Sequence, residues 1–363
     1  MKHDLAAAGT PATRSPAAPP DPRLAPLTAW LATLADRFGL AIDTLAPASN
    51  DASFRRYFRL RGLRLPGGAT TAIVMDAPPP QEDCRPFVHA AEVLGASGAS
   101  VPVIHAADLA AGFLLLSDFG TTTYLARLDA AGAGAAPQLY GDATAALVRI
   151  QAASRAGVFP DYSREVLLRE LMLYPDWYLA RHKDIVLDDA ERQVLLDGFE
   201  RILANNLAQP AVFVHRDYHC RNLMVLDGPR NPGILDFQDA LFGPITYDLV
   251  SLLRDAYVRW DEALVLDWSI RYWERARAAG LPVRPQFDDF YRDFEWMGLQ
   301  RHLKVLGIFA RLYHRDGKAN YLKDMPLVLD YVLAALRRYS ELAPLARLIE
   351  RIERRQPLAG YTF

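Results

Sequence analysis

Hydrophobic positions change their period twice along the chain. Trp30, Leu31, Leu34 and Phe38 recur at helical spacing, which predicts an ordered chain opening with a helix at Leu27. From Leu45 to Phe119 the pattern becomes a series of short runs. Tyr57-Phe58-Arg59-Leu60 and Ala72-Ile73-Val74-Met75 predict two strands paired around the turn Pro66-Gly67-Gly68. Arg85 to Leu94 suits a helix, and Val101–Ala106 and Gly112–Ser117 are two further apolar runs. Beyond Gly120 the helical period dominates, most clearly at Ala190, Val194, Leu195, Phe199, Ile202 and Leu203. An island of strand character, Val212 to Phe237, interrupts it. The expected fold class is α+β, with a small sheet-rich lobe over residues 27–118 and a large helical lobe over 119–363. Residues 1–26, rich in Ala and Pro, read as a disordered tail, since Pro16, Pro19, Pro20 and Pro22 oppose a helix.

Composition narrows the classes. The 363 residues are 51% hydrophobic, enough for substantial cores. Forty-one Lys and Arg against 43 Asp and Glu give a net charge of −2, so no basic field marks the chain for nucleic acid. The two cysteines, Cys84 and Cys220, form neither a disulfide framework nor a metal pattern. The apolar run around Val101 to Leu116 is broken by Pro102, His105, Asp108 and Gly112, and no run reaches the roughly 20 apolar residues of a membrane span. The expectation is a soluble cytoplasmic protein with no membrane, nucleic-acid or obligate protein partner.

Candidate chemistry is concentrated between Val212 and Asp255. Val212-Phe213-Val214 reads as a short strand ending at His215, followed by a polar loop with Arg216, Asp217, His219, Arg221 and Asn222. Two apolar pieces, Leu223–Leu226 and Gly233–Leu235, flank the turn-rich Asp227-Gly228-Pro229-Arg230-Asn231-Pro232. Paired as a hairpin, they bring Asn222 and Asp236 to one open end. An amide and a carboxylate there suit a hard cation, with Asp217 left to act as a base. Magnesium on nucleotide phosphates, with a carboxylate on the attacking hydroxyl, is what phosphoryl transfer requires.

His215-Arg216-Asp217 with Asn222 five residues after the Asp resembles the catalytic loop of the protein-kinase-like superfamily. His219 and Ile234-Leu235-Asp236 resemble its aminoglycoside-phosphotransferase branch. The segments SNDASFRRYFRL (49–60), VMDAPPP (74–80), HRDYHCRNLM (215–224), ILDFQDALFGPITYDLVSLLRDAY (234–257) and QRHLKVLGIFARLYHRDGK (300–318) are similar to bacterial anomeric sugar kinases. That resemblance implies a bilobal kinase-like fold, ATP and Mg2+ as cofactors, and a nucleotide and a small sugar as partners. It further implies transfer of the γ-phosphoryl group to C1 of N-acetylmuramate and N-acetylglucosamine in peptidoglycan recycling. Asp217 is then the base, His219 lies beside the transferred group, Asn222 and Asp236 hold magnesium, and Asp248 braces the loop.

The chain departs from the superfamily in two places. Its expected phosphate loop, Ser49-Asn50-Asp51-Ala52-Ser53, has no glycine and reads equally as a polar hairpin turn. No Lys follows Ile73-Val74-Met75-Asp76; Arg55, Arg56 and Arg59 are the nearby cations, and Arg56, on the opposite strand face from the other two, is the expected substitute. Glu92 is its candidate acidic partner. In the helical lobe, Arg301, Lys304, Arg311, Arg315 and Lys318 face a single acid, Asp316, and suit an anionic or neutral sugar better than a polycation. Trp177, with its neighbour Tyr178, offers a ring face to a sugar or to the core, and Arg254 with Asp255 follows Asp248 by two turns. Lys304, Arg311, Trp177 and Arg254 are therefore candidate substrate contacts, each also readable as ordinary surface or core. No G-x-x-x-x-G-K-[ST] loop, zinc motif or nucleophile elbow occurs. The competing readings are a kinase for another small molecule, such as an aminoglycoside or amino alcohol, and a pseudokinase scaffold.

Overall fold

The structure, a computed structural model, describes residues 21–50 and 54–354. The chain divides into two compact units, one reaching to Glu82 and including Ala106–Leu115, the other made of Asp83–His105 and the chain from Leu116 onward.

The first unit begins with helix α1 (Leu24–Phe38), which buries Leu27, Leu31 and Phe38 on one side. The helix starts three residues before the hydrophobic pattern does, and the preceding Arg23 binds a distant carboxylate, Asp76. Gly39 ends it at φ 63°, where a Cβ would come within 3.1 Å of Leu63. Strands β1 (Leu40–Asn50), β2 (Arg56–Gly62) and β3 (Thr71–Asp76) form antiparallel neighbours. Tyr57 pairs with Met75 and Leu60 with Ala72, the pairing that the alternation around Pro66-Gly67-Gly68 predicts. The β1–β2 register shifts on either side of Pro47, which has no N–H for the ladder. Past helix α2 (Arg85–Ala96), strands β4 (Ile104–Asp108) and β5 (Phe113–Ser117) complete a sheet of order β1-β2-β3-β5-β4. Leu60, Ala72, Val74, Phe113 and Leu115 pack with the α1 side chains as the core.

The second unit is built from helices α3 (Tyr124–Ala131), α4 (Ala136–Ala152), α5 (Arg164–Leu171) and α6 (Asp189–Leu207), with a π-helical segment, Tyr174–His182, between the last two. Pro175 stands in the first turn of that segment, where its missing N–H costs nothing. Asp188 and Glu191 form a reciprocal capping box on α6. Strand β6 (Ala211–Val214) pairs with β9 (Leu241–Pro244), and β7 (Leu223–Met224) with β8 (Gly233–Ile234). Helices α7 (Tyr247–Leu253), α8 (Glu262–Ala278), α9 (Phe287–Asp316), α10 (Met325–Arg338) and α11 (Ala343–Arg354) follow.

Helix α9 is the spine of this unit. Phe290, Phe294, Met297, Leu299, Leu303 and Leu306 are buried along it, and so are Asp293, Glu295, Gln300, Arg301, His302 and Lys304. Gly307 permits close approach: a Cβ there would lie 2.4 Å from the backbone of Leu173. A helix buried on most of its circumference must pair its polar side chains internally, and this one does so beside the Asp217 loop.

Candidate active site

Strand β6 delivers the chain to His215, and Asp248 folds the loop that follows. Asp248 sits in the first turn of α7 with no exposed surface; its two carboxylate oxygens accept the backbone N–H groups of His215 (2.6 Å) and Arg216 (2.9 Å). Burial pushes this carboxyl up, against the pull of His215 and those two N–H groups. Arg216 takes φ 78°, a left-handed conformation that a side chain adopts only when its surroundings hold it. Its guanidinium binds Glu170 at 2.5 Å, and Lys304 from α9 reaches the same Glu170 oxygen at 3.0 Å. Burial raises Glu170, but Lys304 and Arg216 outweigh it and hold the carboxyl below its usual value.

His215 ties the loop to the hairpin. Its Nε2 lies 2.9 Å from the carbonyl of Leu235, and its Nδ1 accepts the N–H of Asp217 at 3.2 Å. These bonds assign the proton to Nε2, and burial keeps the ring neutral by lowering its pKa.

Asp217 differs from its braces in being open, with 45% of its side-chain surface exposed. Arg301, buried on α9, places Nη1 3.7 Å from Asp217 Oδ1 and donates to the carbonyl of Arg216 at 2.7 Å. Desolvation raises the Asp217 carboxyl, but Arg301, Lys304, His219 and Arg216 together take it well below the ordinary range. His219 is buried with Nδ1 unpartnered, its ring edge-on to Tyr257 at 5.3 Å, and burial takes its pKa down to about 3.

The hairpin register pairs Leu223 with Ile234, and Leu235 N–H donates to the carbonyl of Asn222 at 2.9 Å. Asn222 and Asp236 thereby meet at the open end, the Asn222 amide nitrogen 3.2 Å from Asp236 Oδ2 and 3.0 Å from the Asp217 carbonyl. Asp236 is exposed at φ 63°, and Gln238 donates to its Oδ1 at 2.9 Å. Phe237 is buried beneath it against Phe87 of α2, ring centroids 4.8 Å apart. The donors at this end are oxygens alone, which fits a hard divalent cation and not a thiophilic one. Asn222 engages its amide nitrogen twice, leaving Oδ1 as its remaining polar atom.

Other sequence candidates are engaged differently from the roles expected of them. Arg254, only 4% exposed, is held by Glu295, Glu262 and Tyr291, and Lys304 by Glu170 and the Tyr247 hydroxyl. Both are buried partners of carboxylates, and the basic face expected on α9 is turned inward at Lys304. Arg311 is half-buried, its Nε without a partner. Trp177 is half-buried on the π-helical segment, whereas its neighbour Tyr178 is buried and bonded to Glu353. In the first unit Arg56 binds Asp76 and Asp21; Glu92, on α2 in the second unit, is exposed. Arg56 is thus part of an ion cluster and not a solvated cation. Asp51 and Ser53, with the side chains of Ser49 and Asn50, lie outside the described residues. Glu170, Arg301, Gln238 and Tyr257 belong to the site yet were not singled out as site residues by sequence; each is placed by a contact remote along the chain or by the hairpin.

The site is thus a braced loop carrying an open carboxylate beside an oxygen-bearing pair. The sequence profile of the phosphotransferase enzyme family matches residues 44–281, and the chain belongs to that family. It is 51% identical over 305 residues to an N-acetylmuramate/N-acetylglucosamine kinase of Pseudomonas aeruginosa, covering 84% of this chain and 87% of that protein. A protein of the same name from Neisseria meningitidis is 49% identical over 318 residues, or 87% of this chain and 93% of that one. Among solved structures, the choline kinase LicA from Streptococcus pneumoniae superposes with a TM-score of 0.58 at 10% identity, covering 84% of this chain and 98% of that one. An ethanolamine kinase of Plasmodium vivax gives 0.56 at 8%, covering 80% and 83%. These likenesses show the protein-kinase-like fold. Among the described residues, no helix is long and apolar enough to cross a membrane.

Proposed function

We propose that this phosphotransferase is an anomeric sugar kinase, moving the γ-phosphoryl group of ATP to the C1 hydroxyl of N-acetylmuramate and N-acetylglucosamine. The observation that carries the reading is the open Asp217 beside the Asn222–Asp236 pair, in a chain about half identical to kinases named for those sugars. Asn222 and Asp236 would hold magnesium, which would neutralise negative charge on the phosphates of ATP. Asp217 orients the C1 hydroxyl and takes its proton as the new O–P bond forms and the bond to ADP breaks. A hemiacetal hydroxyl is more acidic than an ordinary sugar alcohol, so a carboxylate held this far down remains an adequate acceptor late in the transfer. Arg301 fixes that carboxylate, and the unpartnered Nδ1 of His219 offers a polar atom to the moving phosphoryl group.

The sheet-rich segment, residues 27–118, would serve the nucleotide, through the backbone and side chains of Ser49, Asn50, Asp51 and Ser53. Arg56, expected as the substitute for the strand Lys, would reach phosphate only by leaving Asp76 and Asp21, which engage its guanidinium. Residues 119–363 would serve catalysis and the sugar. The product, a sugar 1-phosphate, is the kind of substrate a nucleotidyltransferase activates, which supports the reading of a cytoplasmic enzyme that recycles cell-wall sugars. ATP consumption measured with N-acetylmuramate, N-acetylglucosamine, kanamycin and choline tests this. Turnover with the two amino sugars, yielding acid-labile phosphate, is expected. Turnover confined to kanamycin or choline, or an acid-stable 6-phosphate, would overturn it.

A further inference from the structure

Of the cations that the sequence offers for a sugar, Lys304 and Arg254 are buried against Glu170 and Glu295, and Arg311 is half-buried near the end of α9. Of the two arginines on the Asp217 loop, Arg216 is likewise bound to Glu170. Arg221 is different. It is exposed, and its charged and polar neighbours are the Tyr257 hydroxyl and, acting at longer range, Asp324, in place of a buried carboxylate like those that hold Arg216 and Arg254. Its guanidinium carbon lies 4.2 Å from the centroid of the Tyr257 ring, a cation–π contact that fixes a flexible side chain without cancelling its charge. Tyr257 is itself held firmly. Asp255, whose place after Asp248 the sequence marks, accepts the N–H groups of Tyr257 (2.8 Å) and Val258 (2.7 Å), and the ring packs on the edge of His219.

The neighbours Arg221 and Asn222 direct their side chains to different partners. Asn222 turns to Asp236 and the Asp217 carbonyl; Arg221 turns to Tyr257. Because the Tyr257 ring packs on His219, the guanidinium is tied to the His219 side of the loop and not to the Asn222–Asp236 pair. N-acetylmuramate differs from N-acetylglucosamine by an O-lactyl group ending in a carboxylate. A planar guanidinium held face-on to an aromatic ring presents its N–H edges for two-point bonding to such a group. We propose that Arg221, held by Tyr257, recognises the lactyl carboxylate and sets the preference between the two sugars. This rests on the sugar-kinase reading above.

The test is initial-rate kinetics of the full chain with both sugars at saturating ATP and Mg2+, for wild type, Arg221→Gln, Arg221→Lys and Arg221→Glu. The readout is the ratio of kcat/KM for N-acetylmuramate to that for N-acetylglucosamine. A charge-assisted bond of ordinary strength corresponds to a fall in that ratio of about 10- to 100-fold in Arg221→Gln. Arg221→Glu is expected to lower it further, and Arg221→Lys, which keeps the charge and loses the fork, to lie between. A ratio within about threefold of wild type in all three variants, including the case where both sugars slow in step, overturns the assignment and makes Arg221 a phosphate-directed or structural residue. Wild-type protein that phosphorylates neither sugar would remove the functional reading and this assignment together, and the wild-type arm alone reveals it.

Discussion

In the first unit, Asp76 has no exposed surface and takes Arg23 on one oxygen and Arg56 on the other. In the second, Asp217 keeps 45% of its side chain open and has Arg301 only at 3.7 Å. Both are aspartates among arginines, yet one is closed and the other is offered to solvent. The difference lies in what surrounds them. The second unit supplies a separate closed aspartate, Asp248, to brace the loop backbone, and a separate closed glutamate, Glu170, to bind Arg216 and Lys304. Asp217 is thereby released from structural work. In the first unit the same cation-binding role falls to Asp76 itself, whose two oxygens are both taken.

That contrast makes graded predictions. Replacing the open carboxylate has the largest effect: Asp217→Asn should lower kcat by about 10²- to 10⁴-fold while the far-UV spectrum and unfolding midpoint stay near wild type. Asp248→Ala orphans two buried N–H groups and should cost about 4 kcal/mol in denaturant unfolding, with kcat falling as the loop loses its brace. Asp76→Ala should cost about 3 kcal/mol, the lower end for a broken buried pair, because Arg23 and Arg56 can turn to water. Its kinetic signature should be a higher KM for ATP with little change in kcat; the reverse pattern would erase the distinction between the two units. The smallest effect is expected from pH. Asp217 is held below the usual carboxylate range, so its charge is lost only when the pH falls through that lowered value, and His219, near 3, stays neutral above it. Neither changes state around neutrality, so kcat/KM should be flat from about pH 6 to 8. An ionisation near 6.5 that His219→Gln abolishes would contradict the burial of that ring.

Local signals were legible where partners lie close along the chain. The β2–β3 pair is visible from alternation and its Pro-Gly-Gly turn, and the Asn222–Asp236 meeting follows from a hairpin whose turn announces itself. Asp217, Asn222, Asp236 and Asp248 were all marked by their spacing and family likeness. What stayed hidden depends on distance. Lys304 reads as a basic surface residue until Glu170 is brought to it, and Arg254 until Glu295 is. Helical period shows which residues share a face, not whether that face meets water, and α9 is buried on most of its circumference. Arg301 and Arg221 look alike in sequence; only the structure sets one against Asp217 and the other on Tyr257. The start of α1 at Leu24 was missed because Leu24 to Pro26 carry no helical period of their own.

The central claim is a division of labour, with Asn222 and Asp236 gripping the ion and Asp217 aiming the acceptor. Mn2+ binding in the presence of ATP, followed by electron paramagnetic resonance, tests it in wild type, Asp217→Asn and Asp236→Asn. The account predicts that Asp217→Asn binds Mn2+ within a few-fold of wild type although its turnover is nearly lost, whereas Asp236→Asn weakens Mn2+ binding by roughly tenfold or more. Equal loss of Mn2+ in both variants, or undiminished binding in Asp236→Asn, would contradict it.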